Sequence, residues 1–112
     1  MAVFVPDAGD LIWLTFDPQA GHEQAGRRPA LVLSPQSYNG KSGLVLVCPV
    51  TNQIKGYPFE VPVPSGCGVK GVVLADHVKS LDWRARNAAK IDRVPVAVLE
   101  DVLARLSPLL GL

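Results

Sequence analysis

The chain has 112 residues, of which 48% are apolar and 19% charged, and its net charge is +1. This length and composition are typical of one globular domain, here residues 1–112, and exclude a disordered chain. Apolar runs stay far below the ~20 residues of a membrane span, and the N-terminus lacks the basic and apolar regions of a signal peptide. We therefore expect a cytoplasmic protein with no membrane partner.

Seven short segments predict strands, because they are rich in apolar and β-branched residues and are separated by Gly and Pro. Many short strands at modest spacing indicate a small barrel or a strongly bent sheet. The candidate strands are Asp10–Phe16, Pro29–Ser34, Leu44–Thr51, Pro58–Val63, Gly71–Ala75, His77–Leu81 and Lys90–Val94. Residues 35–39 suit one helical turn between the second and third of these strands.

A C-terminal helix is predicted from Pro95, which suits a first helical position, to about Ser107, before Pro108. Apolar residues recur there at three- and four-residue spacing and form one stripe. The stripe consists of Val98, Leu99, Val102, Leu103, Leu106 and Leu110. We expect it to pack on the sheet; a partner-binding helix is the alternative.

The charge is unevenly distributed along the chain. Residues 1–26 carry a net −4, residues 27–93 carry ten Lys and Arg against four acidic residues, and residues 94–112 carry −1. A basic middle region either forms a phosphate-binding face or scatters its charges over a solvated surface, and charge alone does not decide between the two.

The cysteine and histidine pattern predicts neither a metal site nor a cofactor. Cys48 lies in an apolar strand and Cys67 in a glycine-flanked loop, so we expect one buried and one loop thiol, both reduced. The chain has no C-x-x-C or H-E-x-x-H motif, and its two histidines are 55 positions apart.

The stretch G-H-E-Q-A-G-R-R-P, residues 21–29, gathers the most chemistry on one predicted loop. It carries an imidazole (His22), a carboxylate (Glu23) and two guanidiniums (Arg27 and Arg28). Such groups suit chemistry at a phosphate, where one group takes a proton and another faces growing negative charge. The alternative is a surface ion pair between Glu23 and Arg28, which is worth little energy.

Further motifs follow in a specific order. They are P-D-x-G-D-L-I-W from Pro6, F-D-P from Phe16, V-L-S-P from Val32, P-V-T from Pro49, K-G-Y-P-F-E from Lys55, A-D-H-V-K-S from Ala75 and W-R-A-R from Trp83. Together with the Gly21–Pro29 stretch they resemble the MazF/PemK family of endoribonuclease toxins from toxin–antitoxin modules. The resemblance runs from about Val5 to the C-terminal helix.

The resemblance implies a mainly β fold, an SH3-like, strongly bent antiparallel barrel with a C-terminal helix, in a homodimer. It implies metal-independent, sequence-specific cleavage of single-stranded RNA, usually mRNA, which arrests translation and growth. The products would carry 2′,3′-cyclic phosphate and 5′-hydroxyl ends. A cognate antitoxin with an extended acidic segment would block the RNA groove, and DNA would be contacted only through the antitoxin complex.

Three catalytic residues follow from the resemblance. Glu23 matches the general base, Arg28 the residue that stabilises the phosphorane charge, and Thr51 the hydroxyl that donates to a phosphate oxygen. Some relatives instead use an arginine and an aspartate from a later strand. Asp76 matches that aspartate, but Leu74 stands where the arginine would be. Whether Glu23 or Asp76 is the general base stays open, as does the identity of the general acid.

The predicted RNA-binding residues share polar or charged side chains near these positions. They are His22, Arg27, Asn52, Gln53, Lys55, Asp76, Lys79, Arg84 and Arg86. Arg27 stands where some relatives have histidine, and Thr15 where some have an acidic residue, which bears on base preference. Trp13, Trp83 and Tyr57 can stack on bases, although the apolar settings of the tryptophans favour packing.

Two other functions compete with the enzyme. One is a non-catalytic toxin of the same fold that binds a protein such as DNA gyrase, and the other is an SH3-like module that binds RNA or a peptide. The combination of Glu23, Arg28 and Thr51 favours the enzyme, because a pure binder needs none of these roles.

Overall fold

The computed structural model of the chain describes residues 4–16 and 26–112. Its elements, in chain order, are β1 (Asp10–Phe16), β2 (Gly26–Val32), α1 (Gln36–Ser42), β3 (Leu44–Thr51), β4 (Glu60–Pro62), β5 (Val72–Leu74), β6 (Lys79–Asp82), β7 (Ala89–Arg93), α2 (Val96–Leu106) and a 3₁₀ turn (Ser107–Leu110). The predicted site residues His22 and Glu23 lie outside the described residues.

The strands pair antiparallel throughout, in the order β4-β5-β3-β2-β1-β7, and β6 also pairs with β3. This confirms the predicted mainly β fold with a C-terminal helix. Within the described ranges, β4 and β7 are the two ends of the order, so the sheet is bent and not closed into a barrel.

Strand β1 is buried on both faces at its start, because the sheet has a core cluster on each side. Leu11 faces a core cluster that includes Leu31 and Val102 of α2, whereas Ile12 and Leu14 face a second cluster with Trp83. Successive side chains of a strand point to opposite faces, so a nearly continuous apolar run is required here. Burial of Trp83 confirms its predicted packing role.

Helix α2 packs on the first of these clusters, as predicted, and ends before the 3₁₀ turn that contains Pro108. The buried stripe is narrower than the sequence indicates. Val102 and Leu106 are buried, but Leu103 and Leu110 are exposed. Neither described helix is long and apolar enough to cross a bilayer.

Strands β4 to β7 differ from the predicted bounds by one or two residues at their ends, and larger differences occur at β2 and α1. Strand β2 begins at Gly26 rather than Pro29, so Arg27 and Arg28 lie in a strand and not in a loop. Their backbones pair with Thr15 and Leu14 of β1. Residues 36–42 form two turns of helix rather than one, ended by Gly43 in the left-handed conformation.

A buried polar network joins α1 to the rest of the chain. The Asn39 amide donates to the carbonyls of Pro6 and Ser34 at 2.8 and 2.9 Å, and the Trp83 indole donates to the Asn39 carbonyl at 2.9 Å. Ser34 Oγ donates to Asn39 Oδ1 at 2.6 Å. Each buried polar group is thus paired, as burial requires.

Both cysteines are free and buried. As expected, Cys48 is buried in a strand and Cys67 lies in a loop, between β4 and β5, and this loop thiol packs in the core as well. Burial, and secondarily the carboxylate of Asp76, raises the pKa of the Cys48 thiol to about 12. The thiol is therefore neutral at physiological pH and is not a nucleophile.

Candidate functional site

A cleft opens where β2 and β3 stop pairing. Their register runs from Val32 opposite Val47 to Ala30 opposite Pro49. Beyond that point β3 pairs with β5, through Val50 and Thr51, while the first half of β2 pairs with β1. Each strand keeps the partner on its other edge, so the two facing edges separate, and Arg28 of β2 and Val50 of β3 line the space between them.

Arg28 and Thr51 come to corresponding positions when the register of β2 and β3 is continued past its last pair. Arg28 lies two residues before Ala30, and Thr51 lies two residues after Pro49, its partner. Side chains two residues apart point to the same side of a strand, and opposite residues of antiparallel strands share a face. Two predicted catalytic residues, 23 positions apart in sequence, therefore occupy corresponding positions across the opening.

The cleft has a volume of ≈ 330 Å³. It combines cationic side chains with an apolar surface and is open to solvent. The lining residues are Trp13, Arg27, Arg28, Pro29, Val50, Asn52, Gly68, Val69 and Lys70. Trp13 is 37% exposed and lines the cleft, so it does not pack in the core of the chain.

Thr51 is buried between two cleft-lining neighbours, Val50 and Asn52. Its Oγ1 accepts a hydrogen bond from the amide of Gln53 at 3.1 Å. A hydroxyl that accepts one hydrogen bond keeps its own proton for donation. Donation to a phosphate oxygen, as predicted, is compatible with this geometry.

Gly71 fixes the backbone behind Thr51. A Cβ at Gly71 would lie 2.2 Å from the Thr51 carbonyl oxygen, and its φ of +129° is one that only glycine adopts readily. The segment before β5 therefore lies against the end of β3. This packing brings Gly68, Val69 and Lys70 into the lining of the cleft.

The loop between β3 and β4 is held by a side chain that sequence reasoning missed. Glu60 is buried, and its carboxylate accepts the amides of Lys55 and Gly56 at 3.0 and 2.9 Å. The Arg105 guanidinium of α2 also donates to the carbonyl of Pro58 in this loop. The sequence signal for this role is limited to a glutamate two residues after the K-G-Y-P run.

The loop carries three predicted RNA-binding residues, and one of them reaches the cleft. Asn52 lines it, whereas Gln53 and Lys55 are exposed farther along the loop. The Lys55 ammonium lies 5.8 Å from the centre of the Tyr57 ring. This distance is compatible with a cation–π contact between the two exposed side chains.

Arg27 is both a cleft residue and a structural one. It donates to Thr15 Oγ1 at 3.2 Å and to the Asn87 carbonyl at 2.7 Å. Arg86 donates to the Thr15 carbonyl at 3.0 Å. Positions 15 and 27, at which the chain differs from some relatives, thus contact each other. The contact fixes the Arg27 guanidinium at the rim of the cleft.

The other predicted RNA-binding residues lie outside the cleft lining. The Arg84 guanidinium stacks over the Trp83 ring at 4.7 Å, and Lys79 begins β6. Asp76 is exposed after β5, with its Oδ1 3.9 Å from His77 Nε2. Leu74, which replaces the arginine of the alternative mechanism, is buried.

The described part of the chain contains no group of three or more His, Cys, Asp or Glu that could hold a metal ion. The predicted residues that the cleft brings together are Arg27, Arg28 and Asn52, with Thr51 beside them. Lys70 is not expected in this role from the sequence, and for Trp13 base stacking is the less favoured of the two interpretations. The G-x-x-G spacing of Gly68 and Gly71 is a general signal for close backbone approach, but it does not identify Lys70 as a site residue.

Comparisons with known proteins agree on one family. Residues 7–110 match the family described as "PemK-like, MazF-like toxin of type II toxin-antitoxin system". The chain is 56% identical over 108 residues to the endoribonuclease toxin MazF of Escherichia coli K12, covering 96% of each chain.

Solved structures give the same result. The crystal structure of MazF (Form-I) from Deinococcus radiodurans matches with a TM-score of 0.95 and 61% identity, over 98% of this chain and 100% of that one. The MazE-MazF structure (Form-II) from the same organism matches with a TM-score of 0.90 and 61% identity, over 98% and 99%.

We expect Gly71→Ala to destabilise the fold by about 3 kcal/mol or more, because it adds a backbone clash to the strain of a positive φ. Gly66→Ala is the matched control, since Gly66 also has a positive φ (+89°) but nothing within 4 Å of a built Cβ. That control should cost about 1–2 kcal/mol. Urea unfolding of both variants measures the difference, and equal losses would contradict the close packing on Thr51.

We expect Glu60→Ala to loosen the loop between β3 and β4, at a cost of about 1–3 kcal/mol, because the amides of Lys55 and Gly56 lose a charged acceptor. Amide hydrogen exchange at residues 55 and 56 should accelerate more than exchange in β1. Glu100→Ala, which removes an exposed carboxylate from α2, should change neither rate. Unchanged protection at residue 56 in the Glu60 variant would show that the loop is held by other contacts.

Proposed function

The chain belongs to the PemK-like, MazF-like family of type II toxins and is an endoribonuclease toxin; we propose that it cleaves single-stranded RNA, without a metal, through attack of the RNA's own 2′-hydroxyl. The observation that carries this proposal is the cleft between β2 and β3, which Arg27 and Arg28 line and whose lining residues Val50 and Asn52 flank Thr51. Cations beside a hydroxyl donor suit a phosphodiester whose negative charge grows during the reaction.

The reaction needs a base, a charge stabiliser and an acid. Glu23 takes the proton of the 2′-hydroxyl, and the 2′-oxygen attacks phosphorus as the bond to the 5′-oxygen breaks. The products are a 2′,3′-cyclic phosphate and a 5′-hydroxyl, because the leaving oxygen takes up a proton. Water or a protein group supplies that proton.

Arg28 stabilises the charge that develops on the phosphorane oxygens. Its planar fork of donors matches two phosphate oxygens, and a guanidinium keeps its proton throughout the neutral range. It is therefore better suited to charge stabilisation than to proton transfer. Thr51 adds a neutral donor from the neighbouring strand, and Asp76, outside the cleft lining, is the weaker candidate for the base.

The cleft also offers a surface for an unstacked base. Trp13, Pro29 and Val50 supply its apolar part, and Asn52 supplies a side-chain amide. Attack in line with the leaving oxygen requires the scissile nucleotide to be unstacked, and binding of the freed base holds it in that state. Sequence preference at the cut then depends on the polar groups around this base, such as Asn52.

We also propose a homodimer and a cognate antitoxin as partners. Leu44 and Leu46 are exposed side by side on one face of β3, which favours a covered surface. A basic region of +6 between residues 27 and 93 complements an extended acidic antitoxin segment. The known MazE-MazF structure supports a partner of this kind.

Purified protein, kept in EDTA, should cut a long unstructured RNA at discrete positions that share a short motif. Arg28→Ala should lower kcat/KM by about 100- to 1,000-fold, because a donor to the transition-state charge is lost. Mapping the 5′ ends and testing them for hydroxyl groups identifies the cuts. Initial rates of cleavage by the two proteins give the change in kcat/KM. A 2′-deoxy nucleotide at the cut should block cleavage while preserving binding.

Thermal unfolding of Arg28→Ala controls for a folding defect. Cleavage that requires a divalent metal, or that continues past a 2′-deoxy substitution, would overturn the proposed mechanism. Unchanged cleavage by a folded Arg28→Ala protein would remove Arg28 from it.

Glu23→Gln should lower kcat by about 100- to 10,000-fold, because it removes a general base and keeps the size of the side chain. The Kd for RNA blocked by a 2′-O-methyl group at the cut should stay within a few-fold of the starting protein. Asp76→Asn is the matched comparison, since Asp76 is the alternative base. A larger loss of kcat for Asp76→Asn than for Glu23→Gln would reverse the assignment.

A further inference from the structure

Lys70 adds a third cation to the cleft, from a segment distant in sequence from the other two. Arg27 and Arg28 come from β2, whereas Lys70 comes from the segment between β4 and β5. Among the lining residues that the structure describes, these three are cationic and none carries a carboxylate. Such a lining attracts an anion with more than one charged group.

The backbone on each side of Lys70 is fixed, so its position is not that of a free loop tip. On one side, a Cβ at Gly68 would lie 2.8 Å from Ile91 Cγ2, and on the other, one at Gly71 would lie 2.2 Å from the Thr51 carbonyl oxygen. Val69 packs against the buried core between them. Lys70 itself is exposed and starts from a backbone that is held beside Thr51.

The apolar part of the lining favours a nucleotide strand over a single anion as the ligand of the cleft. Trp13, Pro29 and Val50 lie in the same cleft as the cations. A base binds to apolar and aromatic surface, while the phosphates on its two sides bind to cations. An isolated inorganic phosphate would use the cations and leave the apolar surface exposed to water.

We propose, resting on the endoribonuclease function above, that Lys70 binds an RNA phosphate adjoining the scissile one. Arg28 and Thr51 hold the scissile phosphate, and Lys70, held next to Thr51 by the Gly71 packing, takes the neighbouring phosphate of the same strand. The bases between these contacts lie over the apolar lining. Lys70 is thus a substrate-binding residue and does not transfer a proton.

The first test is the salt dependence of binding to RNA blocked by a 2′-O-methyl group at the cut. Lys70→Ala should weaken binding roughly three- to tenfold at low salt and reduce the slope of log K against log salt by about 0.7, the value for one phosphate contact on a single strand. Lys41→Ala removes the same charge from exposed α1, outside the cleft, and should leave the slope unchanged. Lys70→Arg should restore it.

The second test identifies the phosphate. Replacing one phosphate at a time by a neutral methylphosphonate should weaken binding to the starting protein at each contacted position. At one position next to the cut, this loss should disappear in Lys70→Ala and persist in Lys41→Ala, because a double-mutant cycle reports a direct pair. Equal losses in both variants at every position would overturn the proposal.

The two proposals fail in different ways. If the starting protein cuts and binds RNA but Lys70→Ala keeps its full salt slope, only the assignment of Lys70 is wrong. If the starting protein neither cuts nor binds RNA, the endoribonuclease function fails and the assignment of Lys70 fails with it.

Discussion

Strand β3 separates from β2 partway along its length, and the cleft depends on this separation. On one edge β3 pairs with β6 through its first residues and with β5 through its last two, and on the other edge residues 47–49 pair with β2. Pairing with β5 keeps the end of β3 within the sheet, and pairing with β1 does the same for the start of β2. The two strands can therefore part while each keeps hydrogen-bonded support on its other edge, and the gap between them becomes the site.

Where β2 and β3 separate, side chains and glycines rather than regular structure fix the rim of the cleft. Past Thr51 the chain turns into a loop whose amides have no strand partner, and Glu60 accepts two of them. At Gly71, the absence of a side chain permits contact with the Thr51 carbonyl. Both residues act on the position of groups that face the cleft, although neither lines it.

The sequence is most informative where apolar residues run almost without interruption. Strands β1 and β3 have the predicted bounds because each is such a run, ended by turn or loop residues. The predicted start of β2 is three residues too late, since G-R-R carries no strand signal and becomes a strand only by pairing with β1. The length of α1 and the burial of Cys67 likewise depend on tertiary packing that no local pattern reports.

The site was predictable only in part, and for a similar reason. Arg28 and Thr51 were identified by resemblance, and the strand register supplies the physical link between them. Lys70 belongs to a third segment, and nothing periodic relates it to the other two. Its contribution follows from the contact of Gly71 with Thr51, which joins residues 20 positions apart. A single sequence does not encode such a contact in any local form.

The basic middle region divides into cations that support the fold and cations that face the cleft. Arg93 pairs with the buried carboxylate of Asp10 at 3.0 Å, and Arg86 holds the carbonyl of Thr15. Counting charges could not separate these from Arg28 and Lys70. A cation attracts an anion into the cleft only if its charged group faces the cleft. The local arrangement of cations, and not the net charge of +6, therefore gives the cleft its preference for a polyanion. Arg27 belongs to both groups, because its contacts with Thr15 and Asn87 hold its charge in the lining of the cleft.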